Sequence, residues 1–216
     1  LTFIAMSRPA MERISEILSE ESTIKDPADP VFEVRDGAIE FNHVSFAYRK
    51  GGEGEDVIKD VTLKIASGET IGIIGQTGSA KTTLVSLIPR LYDATEGSVK
   101  VGGRDVKEYD LTALRDAVAM VLQKNVLFSG SVAENLRWGK EDATQEELEF
   151  ACKQACADEF IEQLPGKYEY DLGQGGVNVS GGQKQRLCIA RALAKSPKVL
   201  ILDDPPSAVD TNTAHH

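Results

Sequence analysis

Residues Gly75, Gln76, Thr77, Gly78, Ser79, Ala80, Lys81 and Thr82 match the pattern G-x-x-x-x-G-K-[ST], except that Ala80 stands in place of the second fixed glycine. A loop of this composition wraps backbone N–H groups around a phosphate at a helix N-terminus, where the donors are unpaired and the dipole is positive. Lys81 then serves the β- and γ-phosphates, and Thr82 offers a hydroxyl to Mg²⁺. Glycine is used there for close approach and backbone freedom. Alanine is the smallest substitute and, opening a helix, is expected in a right-handed conformation. A chance turn is the competing reading, and the context weighs against it. Thr70 to Ile74 reads as a short, all-apolar buried strand, and Leu84, Leu87, Ile88 and Leu91 line one face of the helix that follows.

Two further segments could carry chemistry. Ser180, Gly181, Gly182 and Gln183 open a helix, and serine followed three residues later by glutamine is a capping box. The two glycines also leave N–H donors open to an anion, so the segment alone reads equally as a capped helix or an anion site. Near the C-terminus, the apolar run Val199 to Leu202 ends in two adjacent carboxylates, Asp203 and Asp204, followed by Pro205 and Pro206.

These residues must be held by a core, and 216 residues with 41% hydrophobic and 27% charged composition suffice for one packed domain. A net charge of −10 argues against a nucleic-acid partner. Cys152, Cys156 and Cys188 form neither a disulfide framework nor a metal motif and read as small buried residues in a reducing setting. His43 reads as a strand-surface residue, and His215 and His216 as either native or the edge of a tag. No apolar run has the roughly 18 to 20 residues of a membrane span.

Along the chain, Met11, Ile14 and Leu18 fall at helical spacing within 6–20, and residues 21–30, with two prolines, read as a linker. Strands are expected within 38–48 and 61–65, with a hairpin at 99–104, a helix at 111–118 and a strand over 119–122 ending at Gln123. Residues 144–164 read as strongly helical, with Leu148, Ala151, Cys152 and Ala155 on one face. A glycine-rich loop, a helix over 181–194, a stop at Pro197 and a last strand complete the pattern.

The phosphate loop, Gln123, Ser180-Gly-Gly-Gln and the strand ending in Asp203, in that order, resemble the nucleotide-binding domain of ATP-binding-cassette (ABC) proteins over about residues 35 to 212. F-A-Y, L-F-S-G-S-V-A-E-N-L and S-G-G-Q-K-Q-R-L-C-I-A-R-A-L-A resemble the exporter type. The resemblance implies a P-loop NTPase fold of class α/β: an antiparallel β subdomain, a RecA-like mixed or parallel sheet core, and an inserted helical subdomain at about 124–195. Residues 1–30 would be the lead-in helix and linker from a transmembrane domain upstream, and 31–216 the cassette, C-terminally truncated before a switch histidine. ATP and Mg²⁺ are the implied ligands, at the cytoplasmic face of the cell membrane. Tyr48 would stack on adenine, and Gly75 to Thr83 would hold the phosphates. Thr82, Gln123 and Asp203 would serve Mg²⁺, with Gln123 also touching the attacking water and relaying contact with the membrane domain. Ser180, Gly181, Gly182 and Gln183 would face nucleotide bound to a second cassette, with Asp210 in the loop crossing that interface.

Four departures from the family pattern matter. Besides Ala80, Asp204 stands where a glutamate usually acts on the attacking water. It is shorter by one carbon–carbon bond, roughly 1.5 Å, and a misplacement near 1 Å can cost on the order of a hundredfold in rate. Gln174 replaces a frequent glutamate in a loop facing the membrane domain, and Pro205 and Pro206 stiffen the path to Asp210. The Asp204 exchange resembles the noncatalytic-site subunit of heterodimeric exporters, so the expected partner is a non-identical half-transporter. The alternatives are a homodimeric exporter with Asp204 as a working base, a soluble ABC ATPase outside transport, and, least favoured, an unrelated P-loop kinase.

Overall fold

A computed structural model describes residues 2–48 and 54–203, with side chains from residue 8 onward. Asp204, Pro205, Pro206, Asp210, His215 and His216 lie outside the described residues.

The first helix, α1 (Thr2–Leu18), begins four residues before the expected one and leaves Met11, Ile14 and Leu18 exposed. The stretch that follows is tied to the domain: Val31 bridges Tyr109, and Asp26 accepts a hydrogen bond from the Leu111 amide at 2.8 Å.

Four strands form an antiparallel sheet in the order β2-β1-β3-β4: β1 (Ile39–Phe46), β2 (Ile58–Ile65), β3 (Glu96–Val101) and β4 (Arg104–Asp105). The expected hairpin is the β3–β4 turn, with Val101 opposite Arg104. Register between β1 and β3 slips between Asn42 and Ser45, where His43 takes a positive φ. Gly97 sits opposite this bulge at φ +76°, and a Cβ there would collide with the carbonyl oxygens of Asn42 and His43. His43 is the exposed strand residue expected, its Nδ1 2.6 Å from Asp60 Oδ1.

The second sheet pairs β5 (Val118–Val121) in parallel with β6 (Val199–Leu202). Side chains alternate along β5: Val118 and Met120 pack with the antiparallel sheet, Ala119 and Val121 with the helices. This period-two division lets one short strand serve two cores. The first core gathers Phe41, Val44, Leu87, Val101, Tyr109 and Leu114; the second gathers Leu136, Leu148, Ile161, Leu172 and Leu187. Each such fully buried aliphatic side chain contributes about 1.5 to 3 kcal/mol. Tyr109 is fully buried, its hydroxyl donating to the Val101 carbonyl at 2.7 Å, and burial raises its pKa.

The helical part comprises α4 (Val132–Arg137), α5 (Gln145–Gln154), α6 (Asp158–Ile161) and α7 (Gly181–Leu193), while α3 (Leu111–Ala117) leads into β5. Capping boxes start α4 (Ser131, Glu134), α5 (Thr144, Glu147) and α7 (Ser180, Gln183). The continuous helix expected over 144–164 is broken. Cys156 turns to φ +52° and the Ala157 amide bonds back to the Cys152 carbonyl at 2.8 Å, so the chain reverses into α6. The predicted inner face of α5 is buried through Leu148, Ala151 and Cys152.

Two further expectations fail. Thr70 to Ile74 pairs with no strand among the described residues, and Ile71, Ile73 and Ile74 are exposed, Ile74 almost completely. Apolar composition makes a buried strand only where neighbours satisfy its N–H and C=O groups, and here none does. The helix after the phosphate loop, α2 (Lys81–Ser86), is also shorter than expected. Leu87 and Ile88 are buried in the turns beyond it, and Leu91 is exposed.

Candidate functional site

The loop from Gly75 to Ala80 delivers Lys81 and Thr82 at the start of α2. Gly78 lies at φ +83°, and the Ser79 amide bonds to the Gln76 carbonyl at 3.1 Å, curling the loop around its own N–H groups. The Lys81 ammonium donates to the carbonyls of Gly75 at 2.8 Å and Gln76 at 3.0 Å, so the cation is held over the loop. Ala80 corrects its expected right-handed conformation: it sits at φ 60°, ψ 21°, the left-handed region. Glycine occupies that region without cost, whereas a Cβ there costs roughly 1 to 2 kcal/mol. The fixed glycine of the pattern thus answers a backbone demand that this chain meets under strain.

The fold's longest-range polar contact within the site joins Thr82 to Asp203. The Thr82 hydroxyl lies 3.0 Å from Oδ1 and 2.9 Å from Oδ2 of a carboxylate 121 residues away. Asp203 follows β6, and its amide continues the parallel ladder by donating to the Val121 carbonyl at 2.9 Å. The β5–β6 pairing therefore sets where the carboxylate stands. A hydroxyl, a carboxylate and an ammonium at a loop of open N–H groups suit a triphosphate with its Mg²⁺. This ion takes one or two protein groups and leaves its other positions to water and phosphate oxygens. Among the described residues there is no cluster of three or more His, Cys, Asp or Glu able to hold a metal by itself.

Tyr48, just past β1, is half exposed, and its hydroxyl is 2.9 Å from that of Thr83, the buried residue after Thr82. Its ring meets Phe46 edge-on with centroids 4.8 Å apart and Tyr92 at 5.2 Å. Gln123 is exposed in the bend two residues beyond β5.

At the start of α7 the polar side chains of the capping box serve each other. The Gln183 amide donates to Ser180 Oγ at 3.3 Å and the Ser180 amide to Gln183 Oε1 at 2.8 Å. Ser180 and Gly181 are exposed, and Gly182 and Gln183 are partly so. Among the described residues no hydrogen bond connects this segment with Lys81 or Thr82. The structure thus brings together the phosphate loop, Tyr48, Thr82 and Asp203, and leaves the α7 start facing outward.

Sequence reasoning missed a cluster of residues around the loop after β5. Asn135 clamps the loop after β5: Oδ1 accepts from the Phe128 amide at 2.8 Å and Nδ2 donates to the carbonyls of Phe128 and Ser131, both at 3.0 Å. Phe128 then lies against Trp138, ring centroids 4.7 Å apart, with the Arg191 guanidinium 5.9 Å from the Phe128 centroid. These rings border a cavity of about 340 Å³ rimmed by Arg115, Lys124, Arg191 and Lys195. The signal available was the asparagine inside a capped helix, one turn after its cap. Cys188, also on this cavity, is pushed up in pKa by burial, and Cys152 by burial to about 12. Both are inert small residues, and the cysteines are free.

The ABC transporter family model matches residues 58–207. YgaD of Bacillus subtilis (strain 168), provisionally named as a multidrug export ATP-binding/permease protein, is 45% identical across 100% of this chain and 37% of its own length. The multidrug efflux ATP-binding/permease protein Rv0194 of Mycobacterium tuberculosis is 40% identical over 97% of this chain and 17% of its own. Among solved structures, a bacterial Atm1-family ABC exporter with ATP bound superposes with a TM-score of 0.88 at 31% identity, covering 98% of this chain and 36% of that one. The chain thus spans about a third or less of the relatives it matches. With the phosphate loop, the Thr82–Asp203 junction and the capped α7 start in one order on one fold, this chain belongs to the ABC transporter family as an ATP-binding domain.

Proposed function

We propose that this domain binds ATP with Mg²⁺ and hydrolyses it to drive export by a multidrug-type ABC transporter, working beside a second, non-identical ATP-binding domain. The observation that carries the reading is the contact of Thr82 with Asp203 beside Lys81. It gathers, from distant parts of the chain, the hydroxyl, carboxylate and cation that a magnesium triphosphate needs. Mg²⁺, when bound, would supply positive charge against the phosphates. Thr82 and Asp203 would hold it, the carboxylate organising its waters. Lys81 would exchange the carbonyls of Gly75 and Gln76 for phosphate oxygens, and the loop amides would orient the chain of phosphates. Tyr48 would stack on the base through its exposed half.

The α7 start, exposed and carrying donors at a positive dipole end, suits a γ-phosphate held by a second domain. Asp204 supports an unequal pair of sites. At the position of the residue that orients the attacking water it offers a shorter reach, so this chain's own site holds ATP and turns over slowly. Its α7 start meanwhile completes the partner's site. The relatives' names join an ATP-binding part to a permease part. That pairing supports a membrane domain in the same protein and a location at the cytoplasmic face of the membrane. Among the described residues no helix is long and apolar enough to cross a membrane. The Phe128–Trp138 cavity, aromatic with a basic rim, offers that membrane domain a surface on which to dock.

ATPase measurement on the full-length pair tests the reading. Lys81→Ala is expected to reduce ATP turnover at this site by about 10²-fold or more, and Asp204→Glu to raise it. Unchanged turnover in Lys81→Ala overturns ATP hydrolysis here. No gain in Asp204→Glu overturns side-chain length as the limiting factor and points to the path set by Pro205.

A further inference from the structure

We propose that Tyr92 is a positioning residue for nucleotide recognition, fixing the ring of Tyr48 and thereby the distance between the base and phosphate subsites. The inference rests on the reading of Tyr48 as the platform for adenine and adds what makes that platform rigid. The Tyr48 side chain makes contacts with residues on three segments. Phe46 of β1 meets the ring at 4.8 Å with planes at 85°, and Tyr92 meets it at 5.2 Å with planes at 89°. Thr83 on α2 meets its hydroxyl at 2.9 Å. Phe46 and Tyr92 also touch each other, centroids 5.5 Å apart, which closes the three rings into one cluster.

The division of burial fits this role. Phe46 belongs to the core and Thr83 is buried, whereas Tyr48 and Tyr92 are half exposed at the surface where a base can approach. Edge-to-face pairs of this geometry prefer their orientation beyond simple area burial, so the cluster holds the Tyr48 ring rather than merely covering it. Thr83 adjoins Thr82, and Lys81 stands one residue further back. The hydroxyl contact therefore ties the ring to the same short helix that presents the phosphate-binding groups. Binding energy from the base depends on the ring being in place before the nucleotide arrives, because ordering it at binding would cost affinity.

The test measures binding and turnover in the full-length protein, with ATP and inorganic tripolyphosphate as probes. Tyr92→Leu is expected to raise the KM and Kd for ATP about 3- to 10-fold. Saturated kcat and competition by tripolyphosphate should stay within about twofold, since the phosphate loop is untouched. Tyr92→Phe, which keeps the ring, should behave as the parent protein. An equal loss of ATP and tripolyphosphate binding, or no change in either, overturns the proposal; so does Tyr92→Phe matching Tyr92→Leu. Tyr48→Ala separates the two layers. If it leaves ATP affinity unchanged, the base-platform reading fails and this inference with it. If it weakens ATP alone while Tyr92→Leu does nothing, only the positioning role fails.

Discussion

Ala80 occupies φ 60°, ψ 21° at the entrance to α2, in the region where a side chain crowds its own backbone. The strain falls on the residue before Lys81, so relieving it should act on stability and leave the chemistry in place. Ala80→Gly is expected to stabilise the protein by up to about 1 kcal/mol, the relief of left-handed strain exceeding the extra backbone entropy of glycine. A rise in the urea midpoint at constant slope checks this. Lys81 and Thr82 were singled out at this scale by the spacing of the phosphate-loop pattern, whereas the role given to Asp203 came from the family resemblance. The backbone state of Ala80 was not legible, since spacing names a position and says nothing of its φ. Nor were Thr83 and Tyr92 as partners of Tyr48, because the chain folds back over 35 residues to make the Thr83 contact.

At the scale of elements, capping boxes start α4, α5 and α7, and the carboxylate in the α5 box, Glu147, carries a charge that can be titrated. The Glu147 carboxyl is held below the usual range first by its hydrogen bond to Lys140 and then by the Thr144 amide. A carboxyl with a depressed folded pKa contributes stability above its unfolded pKa and loses it as pH falls through the folded value. Glu147→Gln should therefore lower Tm at neutral pH, with the difference from the parent protein shrinking below about pH 4. A constant difference across that range would show that the loss does not come from the carboxylate's charge.

The sequence pattern found β1, the β3–β4 hairpin, α3 and α7 because local spacing and caps decide them. It failed at Thr70 to Ile74, where pairing at the strand's edges is a property of neighbours, and at Cys156, where a left-handed turn interrupts a helical period.

For the whole molecule, two hydrophobic cores meet at β5, and its pairing with β6 sets Asp203 beside Thr82. Order of motifs along the chain announced that meeting; its geometry emerges only when residues 121 apart are folded together. The start of α7 and the aromatic cavity beside β5 face outward from this fold. The most direct measurement is ATP binding to the full-length protein with and without Mg²⁺, comparing the parent with Asp203→Asn. The parent should bind ATP at least about tenfold tighter with Mg²⁺, and Asp203→Asn should lose most of that difference while retaining metal-free binding. Full Mg²⁺ dependence in Asp203→Asn would contradict the account, because the ion would then be held without the carboxylate that the fold places beside Thr82.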